Sequence, residues 1–173
     1  CAPVIVRADV KPSNSATASG STAARAELLG AEQAAVCVPR VPNAPKGKGD
    51  VVWKTGQTMT SFSLLGELIP ADVQTEVTIV HNGRALFMLV YCKEPVLKPE
   101  SNSDHLFKSS PHPRDSMEVF GNDSVEVFFD TLGDGTRYFQ LATNASGAKW
   151  DAKHGDVSWN GNWASAGGRD EDG

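Results

Sequence analysis

The sequence predicts an all-β protein, an antiparallel β-sandwich of the immunoglobulin-like or jelly-roll-like kind. Short runs rich in Val, Ile, Phe and Tyr recur along residues 36–163, separated by clusters of Gly, Pro, Asn and Asp. Two of these runs flank Asn82 and Gly83, and an Asn-Gly pair between strands is the strongest short-range signal of a β-hairpin. No stretch of this region has a convincing helical pattern, so we expect two sheets and no helical layer.

The domain is predicted to begin near residue 36. Residues 1–35 are interpreted as a linker or the tail of a preceding region, because residues 11–22 are rich in Ser, Ala, Thr and Asn. The helix-forming run that follows is interrupted by Gly30 and has few large apolar residues, so it does not predict a stable helix. Residues 36–173 are interpreted as one β-sandwich that is incomplete at its C-terminus, since no strand pattern follows Trp163. We therefore expect the sequence to be a piece of a larger protein.

The first half of the domain contains three predicted strands. Residues 36–38 form a candidate first strand that stops at Pro39, which cannot donate a ladder hydrogen bond. Trp53 follows a loop rich in Pro and Gly and is predicted to anchor that loop or to lie in the core. Residues 74–80 alternate in polarity. Residues 85–92 are apolar on both sides, which predicts a central strand covered on two faces.

The strongest strand pair lies in the second half. Residues 124–130 and 138–144 flank a turn-forming segment with the sequence Thr-Leu-Gly-Asp-Gly-Thr, and residues 148–152 predict a further strand. Each strand of the pair has one apolar side and one side that mixes polar and aromatic groups. We expect the apolar side to lie in a core and the mixed side to face a ligand or another layer. Arg114 and Asp115, just upstream, are predicted to form a structural ion pair or turn lock.

Composition limits the classes of partner. The net charge is −5, and no basic patch is visible, so nucleic acid is not an expected partner. No apolar run approaches the roughly 20 residues that a membrane-spanning helix needs. The sequence also contains no nucleophile-elbow, zinc-protease or phosphate-loop motif.

Residues 157–163 contain the most suggestive side chains. Trp159 and Trp163 are four apart around Asn160, Gly161 and Asn162, so an extended strand, a tight hairpin or a helical turn would all place the two indoles on one side. Indole rings offer flat apolar faces, and amides offer hydrogen-bond donors and acceptors. Pyranose sugars need this combination, because they present C–H groups on one face and hydroxyls at the rim.

An ordered series of motifs resembles the family 9 carbohydrate-binding modules and their relatives in the DOMON-like β-sandwich group. The motifs are Arg114-Asp115, residues 123–130 and residues 138–147, preceded by residues 38–40 with Trp53 and by residues 86–95. The resemblance extends from about residue 36 to about residue 163. It implies a β-sandwich fold, a polysaccharide or oligosaccharide as partner, and no catalytic residues.

The resemblance also implies a binding site. Sugar-binding members of that family grip the end of a glycan between two aromatic rings, with an Asn-x-x-Trp element and a strand glutamine contributing. Asn160 and Trp163 match that element and Gln140 resembles the glutamine, so these three residues, with Trp159 next, are the predicted carbohydrate-binding residues. The second aromatic of the clamp is left open among Trp150, Trp159 and Phe62.

Three other chemistries have candidate residues in the sequence. Paired carboxylates could hydrolyse glycosides, and Glu118, Asp123, Glu126 and Asp130 lie in one motif, but strand-end and turn roles are commoner for such residues. Some DOMON-like relatives bind haem, for which the ligand candidates here are Met88 and the histidines at positions 81, 105, 112 and 154. No cofactor is required by our interpretation, although Asp130 and Asp134 offer oxygen ligands suited to structural Ca²⁺.

The chain begins with Cys1, which would be the anchor of a bacterial lipoprotein if a signal peptide preceded it. Cys37 and Cys92 could form a disulfide or remain buried thiols. We expect an extracytoplasmic module, secreted, periplasmic or at the cell surface, attached to other domains of the same polypeptide. The alternative is a structural or interaction β-sandwich that binds no sugar.

Overall fold

A computed structural model describes residues 4–9, 37–64, 69–93 and 107–168. In these ranges the secondary structure consists of β-strands and two short 3₁₀ helices, which confirms the predicted all-β class. The strands are β1 (Val4–Asp9), β2 (Thr58–Met59), β3 (Thr75–His81), β4 (Leu86–Cys92), β5 (Ser124–Asp130), β6 (Phe139–Asn144) and β7 (Lys149–Lys153). The 3₁₀ helices are Val51–Thr55 and Met117–Gly121.

The chain divides into two compact units, each with one sheet. No helix among the described residues is long and apolar enough to cross a membrane.

The smaller sheet has the strand order β2-β3-β4, with antiparallel pairing throughout. The β3–β4 hairpin is the one that the Asn-Gly pair predicts. Asn82 Oδ1 accepts the backbone N–H groups of Arg84 and Ala85, both at 2.9 Å, and Gly83 takes a φ of 88° that favours glycine.

The buried strand of this sheet is β3, not β4. Val77, Ile79 and Val80 are at most 3% exposed, so both sides of β3 are covered. Residues of β4 are only half-buried and Leu86 is 45% exposed, so the prediction of a central strand at residues 85–92 was wrong. Within the described ranges β4 lies at the end of its sheet and pairs on one side only.

An isolated bridge between Arg40 and His81 follows residues 36–38, where a first strand was predicted, and residue 36 lies outside the described residues. Cys37 and Val38 are not in a strand. Pro39 instead accepts the N–H of His81, and Val41 donates to the carbonyl of the same histidine, at 3.1 and 2.7 Å. The pairing cannot extend through Pro39, because proline has no N–H. Trp53 anchors the preceding loop as predicted, with its indole N–H donating to the Gly47 carbonyl at 2.9 Å.

The larger sheet has the order β1-β5-β6-β7 and positions the candidate site. β1 pairs parallel with β5, whereas β5, β6 and β7 form an antiparallel meander. Of residues 1–35, interpreted from the sequence as a linker or the tail of a preceding region, Val4–Asp9 form β1, and the others lie outside the described residues.

The core of this unit lies on the mixed side of the strand pair. Ala142, Trp150 and Ala152 share that side with Gln140, and Val119 from the second 3₁₀ helix packs against them. Phe120 meets Trp150 edge-on, with ring centroids 5.0 Å apart. The apolar side was expected to hold the core, but Val125, Val127 and Phe129 on that side are half-buried. Small alanines on β6 and β7 leave room for the Trp150 ring, so the buried cluster forms there instead.

The turn between β5 and β6 is organised by the carboxylate of Asp130, which is 2% exposed. It accepts four backbone N–H groups, from Leu132, Gly133, Asp134 and Gly135, at 2.6 to 3.3 Å. These bonds, above all the one from Gly135, hold the pKa of Asp130 below its ordinary value against the opposing effect of burial.

Stability should therefore depend on Asp130 in a pH-sensitive way. Because the folded-state pKa of Asp130 is lowered, its carboxylate makes its whole contribution to the free energy of unfolding above the ordinary pKa of 3.8. That contribution is lost as the pH falls through the folded-state pKa. We expect Asp130→Asn to lower the melting temperature at neutral pH and to have a much smaller effect at about pH 2. Thermal melts across this range measure it, and an equal loss at both ends would show that the carboxylate charge has no such role.

The two carboxylates proposed as calcium ligands accept hydrogen bonds within this turn. Asp134 accepts the backbone N–H groups of Thr136 and Arg137 and the guanidinium of Arg137, so its pKa is also lowered. A calcium loop presents oxygen atoms to its ion. Here N–H groups converge on both carboxylates, which does not fit such a loop. Calcium binding stays a prediction from the sequence.

Candidate functional site

The segment that follows β7 lies along one side of β6 and β7. Its first turn begins at Asp156, whose carboxylate accepts the hydroxyl and backbone N–H of Ser158 at 2.6 and 2.9 Å. These two bonds lower the pKa of Asp156. Farther along, Ser165 Oγ lies 2.9 Å from Thr143 Oγ1 on β6. Backbone hydrogen bonds between Asp156 and Lys153 of β7, at 2.9 and 3.1 Å, hold the first end, so the segment is attached to the sheet at both ends.

Trp159 packs onto the sheet through Phe139. Their ring centroids are 5.3 Å apart, with the planes tilted by 58°. Gly161 approaches the same indole so closely that an added Cβ would lie 2.5 Å from its Cη2 atom. The turn can close over the ring because Gly161 has no side chain. Trp159 is half-buried as a result.

Trp163 is held by a buried carboxylate. Its indole N–H donates to Asp151 Oδ2 at 2.5 Å, and Asp151 is on β7 with no exposed surface. Arg114 Nη2 donates to the same oxygen and to the Gly161 carbonyl, the latter at 3.1 Å. The ammonium group of Lys149 donates to the Trp163 carbonyl at 3.0 Å and lies 5.2 Å from the centre of its ring.

The two asparagines between the tryptophans are exposed. Asn160 Nδ2 donates to the Ser158 carbonyl at 3.3 Å, and this hydrogen bond restricts the orientation of the Asn160 side chain. The segment thus combines two half-buried indoles with two exposed amides.

Gln140 does not join this cluster. It aligns with Ala152 across the β6–β7 pair, whereas its neighbour Leu141 aligns with Asp151. Successive side chains of a strand point to opposite sides, so Gln140 and Asp151 lie on opposite sides of the sheet. The amide of Gln140 donates instead to Glu126 Oε2 at 2.7 Å. The expectation that Gln140 and Trp163 form one site is therefore corrected, because the strand alternation separates them.

The three candidates for the second aromatic belong to different elements of the fold. Trp150 is 6% exposed within the core cluster, where no ligand can reach its faces. Phe62 belongs to the unit of the smaller sheet, where its backbone N–H donates to Gln74 Oε1. Trp159 is the candidate that shares a segment with Trp163.

Asp151 is a functional candidate that sequence reasoning missed, whereas the predicted ion pair between Arg114 and Asp115 is present. Arg114 approaches Asp115 only to 3.8 Å, while its principal ion pair is with Asp151. Asp115 adopts a left-handed φ of 64° and donates its N–H to the Lys149 carbonyl, which sets Arg114 beside β7. A charged residue between Trp150 and Ala152, inside a strand, was the available signal.

Several residues that could serve other chemistries have local partners. Glu126 binds Gln140, and Asp123 accepts the backbone N–H of Lys108 at 2.7 Å. His112 lies 2.9 Å from Glu118, and His154 packs against a phenylalanine ring. No group of three or more His, Cys, Asp or Glu side chains that could hold a metal occurs in the described part of the chain. Cys37 is exposed, Cys92 is half-buried, and they are not joined in a disulfide. His105 lies outside the described residues.

Attachment of this segment to the sheet depends on Gly167. A Cβ at this position would lie 2.6 Å from the Cα and 2.8 Å from the carbonyl oxygen of Ala145, and backbone atoms cannot yield. We expect Gly167→Ala to displace residues 165–167 and to lower the free energy of unfolding by about 1–3 kcal/mol. Gly168→Ala is the matched control, since nothing lies within 4 Å of its Cβ. Equal denaturation midpoints for the two variants would contradict this packing.

Comparison with known families gives one match. The model of the family described as "Carbohydrate family 9 binding domain-like" matches residues 46–167, which include both sheets' main strands and the Trp159–Trp163 segment. No curated protein and no solved structure matches the chain significantly.

Proposed function

The chain belongs to the carbohydrate family 9 binding domain-like family, and on this premise we propose that it is a non-catalytic module that binds polysaccharide or oligosaccharide chains by aromatic stacking. The observation that carries the proposal is the pairing of half-buried Trp159 and Trp163 with exposed Asn160 and Asn162 in one short segment. The rings would meet the C–H face of a pyranose, and the amides would meet its hydroxyl groups.

The geometry favours Trp163 as the principal platform. Lys149 lies over one face of its indole, so a sugar would stack on the opposite face. Trp159 already uses ring surface against Phe139 and Gly161, and it would contribute a smaller contact. Asn160 and Asn162 would supply hydrogen bonds from the exposed side of the segment. Gln140 is left out of this proposal because it lies on the other side of the sheet.

The expected affinity is modest. Burying about 60–80 Å² of apolar sugar surface at roughly 25 cal/mol/Å² gives about 1.5–2 kcal/mol for each aromatic ring. After the cost of association, two rings and a few hydrogen bonds correspond to roughly micromolar to millimolar dissociation constants. Such values suit a module that works through repeated contacts with a polymer. We propose accordingly that it is extracytoplasmic and attached to other domains of a secreted or surface protein.

Calorimetric titration with short gluco- and xylo-oligosaccharides tests this function. We expect saturable heat, with an affinity in roughly the micromolar-to-millimolar range. Thermal unfolding on the same sample establishes that the protein is folded. A cooperatively melting sample that gives no heat with any of these sugars would contradict sugar binding and favour the alternative, a structural or interaction domain.

A further inference from the structure

We propose that Asp151, held in place by Arg114, is a positioning residue that fixes the indole of Trp163 for sugar binding. The inference rests on the function proposed above. Asp151 would not touch the ligand, because it has no exposed surface. It would act through the hydrogen bond that it accepts from the Trp163 indole N–H.

The carboxylate of Asp151 links β7 to two other parts of the chain. It accepts a hydrogen bond from Arg114 ahead of the second 3₁₀ helix, from the backbone N–H of Gly161, and from the Trp163 indole. An ionised carboxylate accepts hydrogen bonds and donates none. The indole edge that carries the N–H group must therefore point towards β7. Because an indole is rigid, this hydrogen bond also restricts the orientation of the rest of the ring.

Arg114 is the ion partner of this buried carboxylate. A buried carboxylate is costly unless it is paired and hydrogen-bonded. Arg114 supplies the opposite charge and also donates to the Gly161 carbonyl, at 3.1 Å. The guanidinium of Arg114 therefore binds both Asp151 and the turn that precedes Trp163. Its planar group of N–H donors is suited to two such contacts.

Lys149 restricts the ring from a second direction. Its ammonium lies 5.2 Å from the indole centre and donates to the Trp163 carbonyl. With one edge bound to Asp151 and one face under Lys149, the indole has a single orientation before a sugar arrives. Preorganisation of this kind strengthens binding because less side-chain entropy is lost on association.

A double-mutant cycle separates positioning from general stabilisation. Trp163→Phe keeps an apolar ring but removes the N–H donor. We expect D151N to weaken oligosaccharide binding about tenfold in the wild-type background and less than about twofold in the W163F background. The matched control is D134N, another aspartate paired with an arginine but on an exposed turn, which should leave binding unchanged. Equal weakening by D151N in both backgrounds would overturn the proposal.

A second variant, R114K, tests the proposal if the D151N protein does not fold. R114K retains a positive charge beside the buried carboxylate, but a lysine cannot bridge Asp151 and Gly161 in the same way. We expect R114K to weaken binding about threefold or more with Trp163 present and to have little effect in the W163F background. Wild-type affinity in R114K would count against the role of Arg114.

The indole N–H signal of Trp163 gives a readout that does not depend on sugar. W163F identifies this signal among those of the four tryptophans. A hydrogen bond to a buried carboxylate should shift the proton downfield and slow its exchange with water, and D151N should reverse both effects. Identical exchange in wild type and D151N would overturn the proposed contact. A slow, Asp151-dependent signal in a protein that binds no sugar would overturn the proposed function and, with it, the positioning role, while leaving the contact itself established.

Discussion

Replacing Trp163 by alanine is expected to remove most of the sugar affinity of this protein. The ring is the principal apolar platform, and losing about 1.5–2 kcal/mol of burial lowers the association constant by at least about tenfold. Starting from modest affinity, that loss brings the titration heat close to the limit of detection. Calorimetry on folded wild-type and W163A proteins, with one oligosaccharide that binds the wild type, measures the effect.

Trp53→Ala is the matched control for that experiment. Trp53 is half-buried like Trp163, but its indole anchors its own loop through the Gly47 carbonyl. We expect W53A to bind the same sugar with wild-type affinity. Undiminished binding by W163A, or equal losses in the two variants, would show that the indole at position 163 is not the platform.

Arg114→Ala is expected to be the most destabilising of the charge substitutions. It leaves the carboxylate of Asp151, which has no exposed surface, without its ion partner. Removing one member of a buried pair typically costs about 3–5 kcal/mol, and partial exposure of Arg114 places the expected loss near the lower value. Denaturant unfolding measures the change in the free energy of unfolding.

Arg137→Ala provides the comparison. Arg137 also pairs with an aspartate, Asp134, but its side chain is 60% exposed and the pair lies on a turn. Exposed ion pairs contribute about 0.2–1 kcal/mol, so R137A should be nearly neutral. If R114A and R137A unfold at the same denaturant concentration, the buried pair does not contribute in the way described.

The elements that could be predicted from the sequence are those encoded by local signals. The β3–β4 hairpin follows from Asn82 and Gly83, which take the turn geometry that their side chains favour. The β5–β6 pair and β7 follow from alternation within a few residues. Trp53 was correctly assigned as a loop anchor because it follows a loop rich in Pro and Gly.

The features that were missed depend on contacts between distant parts of the chain. Both sides of β3 are buried although its sequence alternates, because the neighbours that cover Thr78 and Val80 are not visible in the strand itself. The Arg114–Asp151 pair joins residues 37 positions apart, and no local pattern specifies it. The nearer partner Asp115 was the natural choice from sequence, but its left-handed backbone directs the chain towards β7.

The candidate site was predicted in part. Trp159, Asn160 and Trp163 lie together because they are close in sequence, and several local conformations would place them on one side. Gln140 was associated with them by resemblance alone. Whether a strand residue faces Asp151 or the opposite side depends on a one-residue difference in register, which a resemblance between sequences does not fix.

The most direct test of the account follows the indole N–H signals of the four tryptophans during a titration with oligosaccharide, in one NMR sample. Trp163 and Trp159 should shift with a common saturation curve. Trp150, which is buried in the core, and Trp53, whose indole N–H donates to the Gly47 carbonyl, should remain unchanged and serve as internal controls. A saturating sugar that shifts the signals of Trp53 or Trp150 and leaves that of Trp163 in place would contradict the proposed binding surface.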